Sequence, residues 1–510
     1  MSRAEKYDVV IIGSGLGGLV CGTILAKEGK RVCIVEKNDQ IGGNLQTFRR
    51  DGVTFDTGVH YIGGLEKGQN LHQFFTYLNI MDRLDVVKMD TKGFDVILFN
   101  NDENEYPYGM GYQNFISQLT LKFPEEQAAI QLYCDEIQTI CQNFPLYNLR
   151  KEDYYQNIEV FEKSAKIFIE SLTNNKKLQA VLAGSNMLYA GDGEKTPLYI
   201  HALVVNSYIQ SAWKCEKGGD QIAKLLAKNI RAAGGAILRK KEVTKINVVE
   251  GKAISISLKD EEEIFGDVFI SNLHPAKTLS MTESELIRPI YRKRIESIEN
   301  TISMFVLYAV LKPNTVKFKN RNYYCFRDEN VWDTLNHTEE NWPKQYGIFE
   351  VVPEKNKEFT EAVAVLTYMH FDEVKQWANT VNTTLEENER GADYETFKKR
   401  KAENLIQVMS EKFPELCKNI QSYYTSTPLS NRDYIGTSDG NIYGIVRDFN
   451  SPLKTFISPN TKIENLYLTG QSMNLHGVLG VTVGAVITCS MLLGKEYLIN
   501  KIIEANEVAV

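Results

Sequence analysis

The chain has 510 residues, of which 43% are hydrophobic and 24% are charged, proportions that belong to a globular protein and exclude a disordered, collagen-like or coiled-coil chain. Its 58 Lys and Arg against 65 Asp and Glu leave a net charge of −7, which provides no general attraction for nucleic acid. The 8 cysteines include no CxxC pair, which excludes a disulfide scaffold and the usual zinc motifs, so we expect no metal site.

A strand–helix–strand unit opens the chain. Hydrophobic runs and a helix-stopping Gly29 predict a strand over 7–12, a helix over 17–28 and a second strand over 31–36. No apolar stretch of the length of a secretory signal precedes the first strand, so we expect production in the cytoplasm.

The turn between that first strand and the helix carries the pattern Gly-x-Gly-x-x-Gly. Gly13 allows the tight turn, Gly15 lets the backbone approach a pyrophosphate, and Gly18 lets helix and strand pack closely. The helix N-terminus attracts phosphate, while Glu36 accepts hydrogen bonds from a ribose and repels a 2′-phosphate. We therefore predict a site for FAD or NAD rather than NADP, with contacts from Gly13, Ser14, Gly15, Leu16, Gly18, Glu36 and Lys37.

A second glycine pair follows the acidic residue. Gly42 and Gly43, with Asn44 after them, are predicted to bring more backbone to the same nucleotide. Asp51-Gly52 is a turn dipeptide and predicts a hairpin.

The next part of the chain, 66–215, alternates helical stretches with aromatic-rich loops. The run Tyr108-Gly109-Met110-Gly111 is glycine-rich, but the sequence around it indicates neither a flanking strand nor a helix. We therefore predict no second dinucleotide unit of the kind that holds NAD(P)H in disulfide reductases.

The α/β pattern returns twice. A helix is predicted over 220–233, followed by strands over 236–238, 243–249, 253–258 and 268–271, and a last strand over 465–469 precedes the uncharged stretch 477–494. That stretch is at the lower length limit for a membrane span, but its Gly, Thr and Ser content favours a buried helix. Its N-terminus, predicted near Gly480, would point at the cofactor, and further contacts are predicted from Val243, Gly470, Gln471, Gly480 and Val481.

The predicted fold class is α/β, with a Rossmann-like FAD-binding domain and an inserted α+β substrate domain. The first domain is predicted to be discontinuous, over 1–100, 215–285 and 436–510. The second is predicted over 101–214 and 286–435 as the substrate domain.

Several segments resemble known flavoproteins. The glycine pair after Glu36 and the C-terminal NLYLTGQ and GVTVG are similar to motifs of the amine oxidase and phytoene desaturase superfamily. FDTGVHYIGG at 55–64 and STPL at 426–429 resemble segments of the all-trans-retinol saturases. Gly218-Gly219 and 268–272 resemble the middle block of phytoene desaturases and carotenoid isomerases.

The resemblance implies an FAD enzyme that reduces a carbon–carbon double bond of a retinoid- or carotenoid-like polyene, with reduced flavin as hydride donor. It places His60 and Tyr61 beside the flavin, where either one donates a proton or both only wall the pocket, and the wall is favoured. If one of them is the donor, His60 is the first candidate, because an imidazole titrates near neutral pH. NADPH is a candidate transient electron donor. A cytoplasmic protein reversibly bound to the membrane surface is implied, with no nucleic acid partner.

Other functions remain open at this point. Carotenoid desaturation and cis–trans isomerisation use the same site, and an amine oxidase or a non-enzymatic, flavin-holding lipid carrier are more distant alternatives. Arg432, Asp433 and Tyr434 either hold a polar end of the substrate or form a structural ion pair, and the ion pair is favoured.

Overall fold

Seven strands, which include those from the N-terminal part of the chain, form one sheet, here called the first sheet. The structure is a computed structural model that describes residues 6–151, 159–386 and 389–508. In this sheet β1 pairs in parallel with β2 and with β13, β2 pairs in parallel with β10, and β19 joins β13. The strands are β1 Lys6–Ile12, β2 Val32–Val35, β10 Ala236–Leu238, β11 Val243–Val249, β12 Lys252–Leu258, β13 Glu263–Ser271 and β19 Leu466–Leu468.

A second sheet of seven strands, ordered β18-β14-β17-β16-β15-β7-β8, is mostly antiparallel. Its strands are almost fully buried in the middle of the sheet, which is why they read as continuous hydrophobic runs rather than as alternating patterns. They are β7 Asp95–Phe99, β8 Tyr106–Tyr108, β14 Ser303–Leu311, β15 Asn322–Phe326, β16 Gln345–Glu350, β17 Ala362–Met369 and β18 Ile420–Ser426.

The described residues also form two smaller sheets, one of two strands and one of three. The predicted hairpin around Asp51-Gly52 is confirmed: β3 Thr47–Arg50 pairs with β4 Val53–Asp56. β5 Ile62–Gly63 and β6 Val86–Lys88 both pair with β9 Ala212–Cys215.

The helices fall into two groups. Those that pack on the first sheet, or on helices that cover it, are α1 Leu16–Lys27, α2 Asn70–Tyr77, α9 Asp220–Ala232, α10 Pro275–Ser280, α11 Pro289–Glu296, α16 Gly477–Leu493 and α17 Lys495–Val508; α16 packs on α1, and α2 and α17 pack on α16. The others are α3 Tyr112–Lys122, α4 Gln127–Gln142, α5 Glu159–Glu162, α6 Ala165–Leu172, α7 Lys176–Leu182, α8 Leu198–Gln210, α12 Ala392–Ser410, α13 Pro414–Lys418, α14 Pro428–Ile435 and α15 Pro452–Thr455.

Helix α16 is the uncharged stretch near the C-terminus. It packs against α1, with the Cys489 and Cys21 side chains buried between them, and its residues Val478–Ser490 are buried with few exceptions. Within the described residues, no helix combines the length and the hydropathy that crossing a bilayer requires.

β7 joins the second sheet just before the predicted domain boundary at residue 100. It runs from Asp95 to Phe99 and pairs in parallel with β15. The division into domains stays a prediction.

The expectation that no strand and helix flank Tyr108–Gly111 is wrong. β8 ends at Tyr108 and α3 begins at Tyr112. However, β8 pairs with β7 in antiparallel orientation, whereas a dinucleotide-binding unit requires parallel strands.

Candidate active site

The turn from β1 to α1 is closely packed around its glycines. A Cβ on Gly18 would lie 2.2 Å from the carbonyl oxygen of Gly13, and a Cβ on Gly15 would lie 2.6 Å from Nδ2 of Asn272. α1 begins without a side-chain capping bond at Gly15, so its first-turn N–H groups point into the adjoining cavity. These are the features that a bound pyrophosphate requires.

Glu36 lies at the C-terminal end of β2 and is held by the glycine turn. Its Oε2 accepts hydrogen bonds from the backbone N–H of Ser14 at 2.9 Å and from the Ser14 hydroxyl at 2.6 Å. Its Oε1 accepts from the N–H of Asn38 at 2.8 Å and keeps a lone pair on the cavity side. The carboxylate is therefore oriented before any ligand binds.

The second glycine pair touches the first turn, as predicted. Gly42 forms a bridge with Gly15 and donates its N–H to the carbonyl oxygen of Ser14 at 3.0 Å. Asn44 donates its side-chain amide to Oε1 of Gln471 at 3.1 Å, which joins this segment to the C-terminal motif.

These segments enclose a cavity of about 350 Å³, here called the cofactor cavity. Of the predicted contacts, Ser14, Gly18 and Gly480 do not line it: Ser14 is used to hold Glu36, and Gly18 is packed on Gly13. The predicted residues that do line it are Gly13, Gly15, Leu16, Glu36, Lys37, Gly42, Gly43, Asn44, Val243, Gly470, Gln471 and Val481. The cradle of close glycines, oriented carboxylate and free helix N-terminus fits a dinucleotide.

Asn272 is a residue of this site that the sequence analysis did not identify. It follows β13, and its amide lies against Gly15, Gly17 and Gly470, where an added Cβ would come within 2.6 to 2.9 Å of it. The signal was available, because ligands of α/β sheets bind at the carboxyl ends of the parallel strands. Asn272 thus connects three segments that are distant in the sequence.

Helix α16 begins earlier than predicted. It starts at Gly477 rather than near Gly480, with His476 as its N-cap. Gly477, Val478 and Val481 line the cofactor cavity, so the positive end of the helix dipole still faces it. Gly480 packs on Leu475 instead, where an added Cβ would lie 2.7 Å away.

The polar segment near Lys37 has a structural role. Asp433 pairs with Arg390 and with Arg432, and its backbone oxygen accepts a hydrogen bond from Nζ of Lys37 at 2.6 Å. Burial lowers the pKa of Lys37. The ion pair that the sequence favoured for Arg432 and Asp433 is present.

His60 and Tyr61 line a neighbouring cavity of about 100 Å³, here called the middle cavity, together with Tyr208, Phe349, Tyr443 and His476. Gly58, Val59, Leu366, Tyr443, Gly477 and Val478 are walls of both this cavity and the cofactor cavity. The sequence prediction that places His60 and Tyr61 near the cofactor agrees with this position.

The environment of His60 differs from that of a solvated imidazole, which titrates near neutral pH. Burial, and then the charge of Lys214, lower the pKa of His60 to about 4. The ring stacks on Phe349 with 5.0 Å between centroids, and its Nε2 has no hydrogen-bond partner among the described residues. A lowered pKa favours the role of a wall, and the role of His60 as a proton donor stays a prediction.

Tyr61 has a different environment. Its hydroxyl donates to Oδ2 of Asp95 at 2.8 Å and lies 2.7 Å from the hydroxyl of Tyr324. Burial, followed by the proximity of Asp95, raises the pKa of Tyr61 well above its usual value, so the phenol stays protonated.

A third cavity, here called the outer cavity, has a volume of about 350 Å³ and an almost entirely apolar wall. Leu203, Leu475, Leu479 and Gly480 are walls of both the outer and the middle cavity. The outer cavity is further lined by Phe144, Leu146, Phe161, Tyr199, Leu453 and Phe456.

Residues 16–390 match the flavin containing amine oxidoreductase family. The chain is 28% identical over 532 residues to the all-trans-retinol 13,14-reductase of Rattus norvegicus, with 96% of this chain and 86% of that protein covered. It is 27% identical over 527 residues to prolycopene isomerase 1 of an Oncidium hybrid cultivar, with 96% and 84% covered. An oxidoreductase structure from Methanosarcina mazei has the same fold, with a TM-score of 0.63 at 17% identity over 95% of this chain and 99% of that one.

Proposed function

Because this chain belongs to the flavin containing amine oxidoreductase family, we propose that it uses FAD to reduce a carbon–carbon double bond of a lipophilic polyene. The prediction of FAD and the resemblance to retinol saturases and carotenoid isomerases are confirmed. The retinoid- or carotenoid-like substrate, and reduction rather than isomerisation or desaturation, are the proposal. Two relatives whose names specify a retinol reductase and a prolycopene isomerase support the substrate class.

The observation that carries the proposal is the series of three adjoining cavities. The outer cavity has apolar walls and shares Leu479 with the middle cavity, which in turn shares Tyr443 with the cofactor cavity. These shared walls place the outer cavity beside the middle one and the middle cavity beside the cofactor cavity, and we propose that a long, apolar molecule in the outer cavity extends along them toward the cofactor. A small charged amine would lose its hydration between these apolar walls without gaining hydrogen bonds, so the outer cavity does not suit it.

The residues of the chain position the substrate and exclude water from it. Reduced FAD, when bound, supplies the hydride. The N-terminus of α16 stabilises negative charge at the cofactor cavity, and the side chains of Leu203, Leu475 and Leu479 keep water from the approach. The ring of Tyr61 is a wall of the middle cavity, and its protonated hydroxyl lies behind that wall against Asp95 and Tyr324.

The test is anaerobic mixing of reduced, FAD-loaded protein with all-trans-retinol, a carotenoid or an amine. Reduction of a polyene predicts reoxidation of the flavin and a product heavier by two hydrogens. An isomer of unchanged mass would indicate isomerisation, reduction of oxidised protein would indicate desaturation or amine oxidation, and no electron exchange would indicate a carrier. NADPH, our proposed transient donor, is tested separately for reduction of the flavin.

A variant that closes the passage makes this test specific. Leu479→Trp places a large ring between the outer and middle cavities and should slow the reaction with polyenes at least about tenfold, a barrier change of about 1.4 kcal/mol. Leu121→Trp is the matched control, because Leu121 is 74% exposed at the end of α3 and lines none of the three cavities. Equal rates in both variants would contradict the proposed route.

We further propose that the mouth of the outer cavity docks on a membrane surface. Leu453 is 77% exposed and Phe456 is 37% exposed, and both line this cavity. The adjacent Lys454 and Arg294 suit anionic head groups. A substrate dissolved in lipid would then pass directly into the apolar passage.

A further inference from the structure

We infer that Asp95 supplies the proton for the reduction by passing it through the hydroxyl of Tyr61 to the substrate. The inference rests on the proposed function and deepens it, because it names the proton source that the hydride transfer requires. The sequence gives no indication of it, since Asp95 belongs to a strand of the second sheet and is separated from Tyr61 by 34 positions.

The contacts form a short chain from the interior to the middle cavity. Asp95 Oδ2 accepts a hydrogen bond from the Tyr61 hydroxyl at 2.8 Å, and Asp95 Oδ1 accepts from Nδ2 of Asn322 at 2.9 Å. The ring of Tyr61 lies 4.4 Å from that of Tyr208, and both rings are walls of the middle cavity. One side chain thus touches both: the Tyr61 ring is a wall of the cavity, and the Tyr61 hydroxyl is bonded to a carboxyl group that does not line it.

The fold places Asp95 there rigidly. It is the first residue of β7, and its register partners are Asn322 of β15 and Tyr108 of β8. Strands on both sides of Asp95 prevent the carboxyl group from moving toward solvent, and its exposed fraction is 1%. A group held in this way exchanges protons only through its hydrogen-bond partners.

The charges around Asp95 leave it close to half protonated at neutral pH. The cation that faces it, Lys214, is 2% exposed and donates to the backbone oxygens of Glu350 at 2.7 Å and Arg321 at 3.2 Å rather than to the carboxyl group. Burial, only partly offset by Asn322, Tyr61 and Lys214, raises the pKa of Asp95 to about 7.

The phenols that face Asp95 are Tyr61, Tyr324, Tyr108 and Tyr208. Burial raises the pKa of all four above the usual value, so they remain neutral donors over the working pH range. Burial lowers the pKa of Lys214 to about 8, so this cation also titrates near the working range. Asp95 is the member of this group that is bonded to the Tyr61 hydroxyl and has a pKa of about 7.

The step starts from the acid form of Asp95, whose O–H donates to the Tyr61 oxygen, so that the Tyr61 O–H turns from Asp95 toward the substrate. The double bond accepts the hydride at one carbon, and the other carbon forms a C–H bond to the proton leaving the Tyr61 hydroxyl. The Asp95 carboxyl transfers its own proton to the Tyr61 oxygen and becomes a carboxylate. The substrate has gained two electrons and two protons, solvent reprotonates Asp95, and a chemical reductant such as dithionite reloads the cofactor in the test.

The test compares Asp95→Asn with wild type in the same single-turnover reaction. An Asn side chain keeps the size of Asp, and the Asn322 amide is free to rotate toward it because Oδ1 of Asn322 has no partner among the described residues. The variant should bind FAD normally and reduce the polyene at least about tenfold more slowly, within the range that general acids contribute.

The pH profile separates proton supply from a merely structural role. Because the acid form of Asp95 is present below about pH 7 and lost above it, the wild-type rate should fall as the pH rises through that value. Asp95→Asn should lose this dependence, and Asp95→Glu should restore part of the rate and of the profile. Tyr61→Phe should show the same loss as Asp95→Asn, and the double variant should be no slower than either single one.

Tyr324→Phe is the matched control. It removes the hydroxyl that lies 2.7 Å from that of Tyr61 but leaves the bond from Tyr61 to Asp95 intact. We expect this variant to keep most of the wild-type rate and the same pH profile. A loss equal to that of Asp95→Asn would overturn the assignment of Asp95 as the source.

Infrared titration supplies a readout that does not depend on activity. Protein with FAD bound should show a protonated-carboxyl band that disappears as the pH rises through about 7 and that is missing from Asp95→Asn. No such band, or an unchanged band in the variant, overturns the inference. If the wild-type protein reduces a polyene and Asp95→Asn keeps both the wild-type rate and the pH profile, the inference alone is overturned. If the wild-type protein reduces no polyene, both the proposed function and the proton relay are overturned.

Discussion

Gly15 shows most directly how one residue determines cofactor binding. An added Cβ there would meet Nδ2 of Asn272 at 2.6 Å, so Gly15→Val has to displace the amide that joins the first turn to Gly470. We expect the purified variant to be colourless, as measured by the flavin absorbance per protein. Gly484→Ala is the control, since a Cβ at Gly484 meets nothing closer than 4.0 Å. A Gly15→Val protein with the wild-type flavin absorbance would contradict the assignment of the cofactor cavity to FAD.

His60 is expected to matter less than its sequence context indicates. Because its pKa is lowered to about 4, the ring is neutral at working pH and has no proton to give as an imidazolium. His60→Gln should therefore keep the pH profile of wild type, even if loosened packing on Phe349 lowers the rate. Stopped-flow measurement of flavin reoxidation on FAD-loaded protein decides this, and loss of the profile in His60→Gln would restore His60 as the donor.

His201 illustrates how a buried histidine links stability to pH. It has 0% exposure and lies between the hydroxyls of Tyr133 at 2.7 Å and Tyr189 at 2.8 Å. Burial lowers its pKa from 6.5 to about 3. The unfolded chain therefore binds a proton below about pH 6.5 that the folded protein does not, and the stability from this group, complete above that pH, is lost as the pH falls toward 3.

The expected size follows from proton linkage. Between about pH 7 and pH 5 the loss attributable to His201 is about 2 kcal/mol. His201→Gln should be less stable at pH 7, because it keeps only part of the hydrogen bonding, but its unfolding midpoint should fall less on acidification. Thermal unfolding at the two pH values measures this difference, and parallel falls in both proteins would show that His201 does not contribute.

Among the elements, α9 presents a test of the predicted core. Leu226 has 0% exposure on the face that packs against α1, whereas Leu225 is only half-buried. Leu226→Ala should cost about 2–5 kcal/mol through lost contacts and a cavity, and Leu225→Ala should cost clearly less. The unfolding midpoints of the two variants give the comparison, and equal shifts would mean that the helix is rotated from the described orientation.

The elements of the first sheet could be predicted from sequence because each carries a strong local signal. β1, α1 and β2 have hydrophobic runs separated by glycines, which is a strong local signal. β8 was missed since three residues containing a proline give no periodic pattern.

The site was predictable where a motif is local and not where the fold brings distant residues together. The glycine turn, Glu36 and Gly470 were found from their spacing, whereas Asn272 and Asp95 carry no motif and gain their roles from strand register. The lowered pKa of His60 could likewise not be predicted from the sequence, because burial is a property of the folded structure.

At the scale of the whole molecule, the mouth of the outer cavity predicts how the protein meets lipid. Replacing Leu453 and Phe456 together by Asp removes the exposed apolar surface at this mouth and should lower cosedimentation with anionic lipid vesicles several-fold. Val249→Asp is the control, because Val249 is 52% exposed but lies on the outer strand of the first sheet. Unchanged vesicle binding by the double variant would contradict the docking surface.

The contacts of Asn272 also determine when during biosynthesis the cofactor can be taken up. The cradle joins Gly15, Asn272 and Gly470, so a ribosome must translate residue 470 before the last wall is made. β1 can pair early with β2, but its pairing with β13 waits until residue 271 has been made. One edge of the hydrophobic β1 therefore stays unpaired through about half of the 510 residues, and we expect the nascent chain to depend on chaperones until FAD is captured.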